Sequence, residues 1–183
     1  MELKTGMRGD NNGLLKLIQD LPNDIIMAEV GCYAGESTLM FLKSGKVKTL
    51  YAIDPWLNKL KGEIKGTKEF IDRVNCMYAN IKLAEDSFDV RIAPFPNVIK
   101  LKMTFSEAFE SLPELDFIYI DGDHRYEAII NDLQLAKELV KEGIIAGHDY
   151  TKESPGVVKA VNESFDKVDK LYPDSSWLVN YKR

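Results

Sequence analysis

The sequence predicts an α/β fold, a doubly wound and mainly parallel sheet of about seven strands that ends in a C-terminal antiparallel hairpin. Three observations predict it. Short, nearly continuous apolar runs alternate with longer amphipathic ones, most of the apolar runs stop at Gly or Asp, and the tail carries two strand-like stretches around Pro-Asp-Ser-Ser. Continuous apolar strands suit a sheet covered on both faces, and strand–helix alternation implies parallel pairing through crossover helices. No repeat or linker divides the 183 residues, so residues 1–183 read as one domain.

The elements follow in order. Leu14–Leu21 forms a short helix, and Ile25–Val30 (IIMAEV) is the first strand. Glu36–Lys43 is helical and leads to a second strand at Thr49–Ile53. Thr67–Ala84 reads as one helix, Val98–Met103 as the third strand, and Ser106–Ser111 as a short helix with a serine cap. Phe117–Ile120 (FIYI) is the fourth strand. In Tyr126–Glu142, the residues Tyr126, Ile129, Ile130, Leu133, Ala136 and Val140 recur at helical steps, with Gly143 as the stop. Gly143–Ala146 is the fifth strand. Pro155 then suits the first turn of a helix with Val158, Val161 and Phe165 on one side. The tail KVDKLYPDSSWLVNYKR folds back on itself as a hairpin.

Composition narrows the function classes. Lys and Arg number 24 against 29 Asp and Glu, and a surface of net charge −5 makes nucleic acid a poor default partner. No apolar run approaches the roughly 18 residues of a membrane span, and the start MELKTGMRGDNNG lacks the apolar core of a signal peptide. Two cysteines, Cys32 and Cys76, supply neither a disulfide framework nor a CxxC zinc pair. The expectation is a cytoplasmic protein with a small-molecule substrate and no membrane partner, with homo-oligomerisation left open.

In a doubly wound sheet, ligands bind at the carboxyl ends of the strands. The first strand ends in Glu29-Val30-Gly31-Cys32-Tyr33-Ala34-Gly35. Gly31 permits a tight turn and Gly35 a close approach of the next helix. A dinucleotide fingerprint wants glycine at the middle position, and Tyr33 fills that space, which counts against NAD. An ordinary strand-to-helix turn explains the glycines equally well. Asp54 ends the second strand 19 residues after Gly35, a spacing suited to accepting hydrogen bonds from ribose hydroxyls, with Trp56 beside it to cover an adenine face. The alternative is that Asp54 caps a turn and Trp56 is core.

Both histidines of the chain stand near Asp residues at strand ends, in Asp121-Gly122-Asp123-His124 and Gly147-His148-Asp149. Imidazole serves near neutral pH as base or metal ligand. Asp121, His148 and Asp149 also suit a shared divalent ion. Against this, Asp123 suits capping the helix near Arg125, and the histidines suit simple pairing with carboxylates. Thr104 and Ser106 stand where an adenine edge would lie, although Ser106 equally reads as a helix cap. Pro55–Gly66, with Lys59, Lys61 and Lys65, reads as a solvated loop or a lid.

The segments EVGCYAGEST, YAIDPW, DFIYIDGDHRYEAIINDL and GIIAGHDY together resemble the class I S-adenosylmethionine-dependent methyltransferases, whose fold is Rossmann-like. Within that class they look like the small stand-alone group that includes macrocin-type sugar O-methyltransferases. The resemblance spans about Leu14 to Lys182. It implies that Glu29, Gly31 and Gly35 surround the methionine part of the cofactor, Asp54 holds the ribose, Trp56 lies beside the base and Ser106 near the adenine. Asp121 would stand beside the sulfonium and the substrate, and His124, His148 and Asp121 are the catalytic candidates. Relatives that bind a divalent cation use acidic residues after the fourth and fifth strands, where Asp121 and Asp149 stand; His148 departs from that pattern. The function implied is O-methylation of a small molecule or sugar hydroxyl. The alternatives are a nicotinamide-dependent oxidoreductase and a non-catalytic adenosyl-ligand-binding module.

Overall fold

The computed structural model describes residues 12–57 and 68–183. The chain's first residues and most of the lysine-containing stretch Pro55–Gly66 lie outside the described residues. In order come α1 (Asn12–Asp20), β1 (Ile25–Val30), α2 (Glu36–Lys43), β2 (Val47–Ile53), α3 (Lys68–Ala79), α4 (Ile81–Ile92), β3 (Val98–Leu101) and α5 (Phe105–Ala108). A single 3-10 turn, Phe109–Ser111, then precedes β4 (Phe117–Ile120), α6 (Tyr126–Leu139), β5 (Glu142–Gly147), α7 (Pro155–Ser164), β6 (Lys170–Leu171) and β7 (Trp177–Lys182).

The seven strands form one sheet in the order β3-β2-β1-β4-β5-β7-β6. The pairs from β3 to β5 are parallel, and β7 enters antiparallel between β5 and β6. This is the expected Rossmann-like doubly wound α/β sheet with its C-terminal antiparallel pair. Strand order reverses between β1 and β4, so their carboxyl ends flank the crevice where such sheets bind ligands.

Side-chain alternation explains why both faces are covered. In β4, Phe117 and Tyr119 join a core with Leu14 and Leu17 of α1, Phe41 of α2 and Phe88 of α4. Ile118 and Ile120 point to the other side, into a core with Ile129 and Leu133 of α6 and Val157 and Val161 of α7. A strand buried on both faces needs apolar residues at every position, and FIYI supplies them. Among the described residues, no helix is long and apolar enough to cross a membrane.

Several boundaries differ from the sequence expectation, each for a local reason. The helix expected over Thr67–Ala84 is two helices. Asn80 leaves the helical conformation (φ −104°, ψ 11°) and its side-chain amide donates to the Cys76 carbonyl at 2.8 Å. The cap of α5 is Thr104, not Ser106: its hydroxyl accepts from the Glu107 amide, and the Glu107 carboxylate accepts in return from the Thr104 amide at 2.8 Å. That is a capping box, and its T-x-x-E signature was present in the sequence. Helix α6 stops at Leu139, because Val140 turns extended and Glu142 already pairs with Lys182 across the sheet. Gly143 lies within β5, where any side chain would strike the Asp116 carbonyl.

On α6, desolvation pushes the Asp132 carboxyl up to about 7 against a hydrogen bond from Asn131, and the Asp123 charge adds to the rise. A carboxyl whose folded pKa exceeds its unfolded value favours the fold while protonated. Its contribution is therefore full below about pH 4 and is lost as pH climbs through about 7. Asp132→Asn is expected to be more stable than the parent at pH 8 by about 1–2 kcal/mol, and so to melt at a higher temperature, with the gap shrinking towards pH 4. Thermal melts at the two pH values check this.

Candidate active site

Four loops at the carboxyl ends of β1, β2, β4 and β5 build the site. Gly31, directly after β1, has φ +89°, and a Cβ there would lie 2.2 Å from the Asp121 carbonyl oxygen. Only glycine lets the two backbones meet so closely. Gly35 (φ +80°) ends the same loop, where a Cβ would meet the Phe88 ring at 2.8 Å. Between them Tyr33 takes φ +46°; Trp56 after β2 and Asp149 after β5 also adopt left-handed conformations, at +42° and +60°. Non-glycine residues rarely hold such angles unless neighbouring structure fixes them.

For the first two loops that fixing comes from Asp54. One carboxylate oxygen accepts from the Tyr33 amide at 2.8 Å and the other from the Trp56 amide at 2.7 Å. The Trp56 indole N–H donates to the Tyr33 carbonyl at 2.8 Å, closing the clasp. Burial raises the Asp54 pKa, with the amides of Tyr33, Trp56 and Cys32 opposing the shift. Arg91 of α4 adds a strut, donating to the Ala34 carbonyl at 2.6 Å. Sequence reading missed Arg91, since no pattern links residues 57 positions apart.

The expectation that Trp56 covers an adenine face needs correction. Its ring is 5% exposed, packs on Phe88 with centroids 4.9 Å apart and lies under the Lys100 ammonium. Trp56 is core, as its alternative reading held, and it walls the loop from behind.

Glu29, near the end of β1, is fully buried and accepts from the Thr38 hydroxyl of α2 at 2.5 Å. Burial drives the neighbouring Cys32 thiol's pKa well up, so it remains a thiol and packs as an apolar group. Ser106 is exposed and accepts from Asn131 of α6 at 3.1 Å; with Arg125 and Glu127 it lines a groove between α5 and α6. Asp123 accepts from the Arg125 amide at 3.1 Å and pairs with its guanidinium, so it shapes the turn into α6.

The two histidines meet at one carboxylate. Nε2 of His124 and Nδ1 of His148 each lie 3.2 Å from the same Asp149 oxygen, Oδ2. They lie 3.7 and 3.9 Å from Asp121 Oδ1. Their settings differ: the His124 side chain is 42% exposed and that of His148 17%. Partial desolvation lowers the His124 pKa, but a hydrogen bond to Asp121 and the charges of Asp149, Asp121 and Asp123 outweigh it and raise the value above the ordinary one. Asp121, His148 and Asp149 each offer a ligand atom, all within 4.8 Å of one another. Beside Asp149, a shallow groove is lined by Tyr150, Pro155, Val158 and Lys159. Sequence reading placed Pro155 and Val158 on a helix and Tyr150 in the HDY motif but gave none of them a site role.

Gly31, Asp54 and Asp121 thus belong to abutting loops. The grooves at Ser106 and at Tyr150 do not include Gly31 or Asp54 among their lining residues. Chemically, the ends of β1, β2 and β4 carry three carboxylates, Glu29, Asp54 and Asp121. Such a set accepts hydrogen bonds from hydroxyls and favours a cationic centre, while it repels a diphosphate. An adenosyl group bearing a sulfonium fits this set of acceptors.

Comparison with known proteins agrees with that chemistry. A family model described as methyltransferase domain matches residues 28–150, the span from β1 to the loop after β5. The uncharacterized protein R132 of Acanthamoeba polyphaga mimivirus is 30% identical over 146 residues, which cover 77% of this chain and 59% of that protein. The chain thus spans less than two thirds of that relative's length. Among solved structures, a precorrin-6y C5,15-methyltransferase from Geobacter metallireducens superposes with a TM-score of 0.58 at 14% identity, covering 93% of this chain and 86% of that one. An rRNA methylase from Streptococcus thermophilus gives a TM-score of 0.59 at 11% identity, covering 93% of each chain. These two likenesses show a shared fold. The family match spans most of the chain and takes in all four loops of the site, and on that ground the chain belongs to the methyltransferase domain family.

Proposed function

We propose that the chain is an S-adenosylmethionine-dependent methyltransferase that methylates a hydroxyl oxygen of a small molecule or sugar. One observation carries the reading: Glu29, Asp54 and Asp121 place three carboxylates at adjacent strand ends, an environment for a sulfonium and ribose hydroxyls. The same carboxylates, with Tyr33 in the middle of the first loop, disfavour a nicotinamide dinucleotide.

Asp54 would accept from the ribose hydroxyls on the lone pairs left by the two loop amides, and the Gly31–Gly35 loop would hold the methionine part with Glu29 behind it. Ser106 would stand near the adenine. The bound cofactor supplies a methyl carbon that is already electrophilic. The protein's remaining task is to align the acceptor oxygen, exclude water and take a proton. His124 suits the last role: its Nε2–H is directed at Asp149, which leaves Nδ1 to accept the hydroxyl proton while the new C–O bond forms. Likeness to macrocin-type sugar O-methyltransferases in the IDGDHxYE and HDY segments supports oxygen as the acceptor atom. A divalent cation on Asp121, His148 and Asp149 is the second reading, favoured by their spacing.

Calorimetry with S-adenosylhomocysteine and with NADH tests the cofactor. The first is expected to bind and the second not, and Asp54→Ala should weaken binding tenfold or more. Methyl transfer from labelled donor to a panel of sugars and hydroxylated aromatics tests the acceptor. Binding of NADH but not of S-adenosylhomocysteine would reject the proposal, and S-adenosylhomocysteine binding without transfer to any acceptor would favour the binding-module alternative.

A further inference from the structure

We propose that the acceptor carries an acidic group, a carboxylate or a phosphate, and that Lys152 and Lys159 hold this group in the groove beside Asp149. The inference deepens the proposed function and rests on it for the methyl transfer alone, because binding of the acidic group is measurable by itself. The groove has a volume of about 540 Å³, within the roughly 300–1,000 Å³ of small-molecule sites. It is lined by Tyr150, Thr151, Lys152, Pro155, Val158 and Lys159. Two contacts seat it against the proposed base. Gly156, in the first turn of α7, packs so closely that a Cβ there would lie 2.8 Å from the His124 carbonyl oxygen and 2.9 Å from the Tyr126 amide nitrogen. The Lys159 ammonium lies 4.0 Å from the centre of the Tyr126 ring, two residues past His124. On the other side Tyr150 follows Asp149 directly, and its hydroxyl donates to the Asn162 side-chain oxygen at 2.7 Å, which fixes that wall.

Charge and wall chemistry define the occupant. The Tyr150 ring and the aliphatic side chains of Pro155 and Val158 offer a carbon skeleton an apolar surface, and the charged lining residues are both lysines. In a chain of net charge −5, a cationic rim beside the site runs against the general surface and selects for an anion. Each lysine has a glutamate nearby, but loosely. Lys152 lies 3.7 Å from Glu153 and Lys159 3.8 Å from Glu163, beyond ordinary hydrogen-bond length. Glu163 already accepts from the Tyr126 hydroxyl at 2.5 Å, and neither glutamate lines the groove. Both ammonium groups therefore keep protons for charge-assisted hydrogen bonds to a ligand oxygen. The groove at Ser106 differs, because its Arg125 guanidinium is bound by Asp123.

The test titrates the full chain by calorimetry, with and without S-adenosylhomocysteine, using two matched pairs of probes. These are 4-hydroxybenzoate against 4-hydroxybenzamide, and glucose 6-phosphate against glucose. In at least one pair the acid is expected to bind about five- to thirtyfold tighter than its neutral partner, the worth of two exposed charge contacts. The pair that shows the gap tells carboxylate from phosphate. Lys152→Gln combined with Lys159→Gln should bring the members of that pair to within about twofold of each other. Lys152→Arg combined with Lys159→Arg should keep most of the gap, and both variants should bind S-adenosylhomocysteine like the parent. Lys16→Gln combined with Lys68→Gln lowers the net charge equally on α1 and α3, and it should leave the gap intact. No gap in either pair, a gap that survives the glutamine variant of the groove, or a gap lost equally in the α1 and α3 variant overturns the inference. Transfer from labelled S-adenosylmethionine separates the two claims. A lysine-dependent gap without transfer to any acceptor leaves the anion site standing and rejects only the proposed function, whereas transfer to acidic and neutral acceptors with equal KM rejects only this inference.

Discussion

Gly31→Ala is expected to abolish cofactor binding and to lower stability by about 3 kcal/mol. Two effects add. An L side chain in the left-handed region costs about 1–2 kcal/mol, and forcing a methyl group into a close-packed contact costs roughly another 1–3 kcal/mol. The new Cβ would lie 2.2 Å from the Asp121 carbonyl, so the loops after β1 and β4 must part. For a chain of this length the loss corresponds to a fall in Tm of roughly 6–12 °C. Gly45→Ala separates the two effects, since Gly45 has φ +71° but nothing within 4 Å of a built Cβ. It should show only the conformational cost and bind S-adenosylhomocysteine like the parent. Equal behaviour of the two variants would show that contact between the loops does not matter to the site.

His124→Ala is expected to slow methyl transfer about 10²–10⁴-fold, the usual contribution of a positioned acid or base, while S-adenosylhomocysteine affinity changes little. The base acts in its neutral form. Because the surrounding carboxylates raise the His124 pKa, the rate should climb with pH through a midpoint above the ordinary histidine value of about 6.5. Asp149→Asn removes one of those charges and should move that midpoint down. The chain has only two histidines, so NMR of the metal-free protein resolves two imidazole titrations, and His124→Ala assigns them. The stability linkage has a definite sign as well. A raised folded pKa stabilises the fold below about pH 6.5, and that contribution is lost as pH rises through the folded value. With the side chain 42% exposed, solvent screening keeps this contribution small. A pH–rate profile unchanged in His124→Ala would remove the residue from the mechanism.

Much of the fold was legible because burial writes a local pattern. IIMAEV and FIYI are strands at the residues expected, and α2 spans Glu36–Lys43 as read. The break between α3 and α4 was not legible. Its cause is a side-chain bond from Asn80 to Cys76, and α4 continues to Ile92 past a nearly buried glutamate, Glu85, that no helical pattern would place inside. Glu85 is tolerated because Lys100 and Lys102 on the β3 side reach it at 3.1 and 2.7 Å. Trp56 was misread for a related reason: a tryptophan after a strand looks the same whether it faces a ligand or Phe88.

The sequence by itself determined the alternation of elements, the two-sided burial of the strands and the gathering of glycine, carboxylate and imidazole at strand ends, because these depend on residue type and near neighbours. Only the tertiary structure decided that Asp54 clasps two loops, that Gly31 lies against Asp121, and that both imidazoles share Asp149. Those contacts depend on strand order and register, which bring together residues as much as 90 positions apart in the chain. Pairing at that distance is set by the whole packed sheet rather than by any local run of residues.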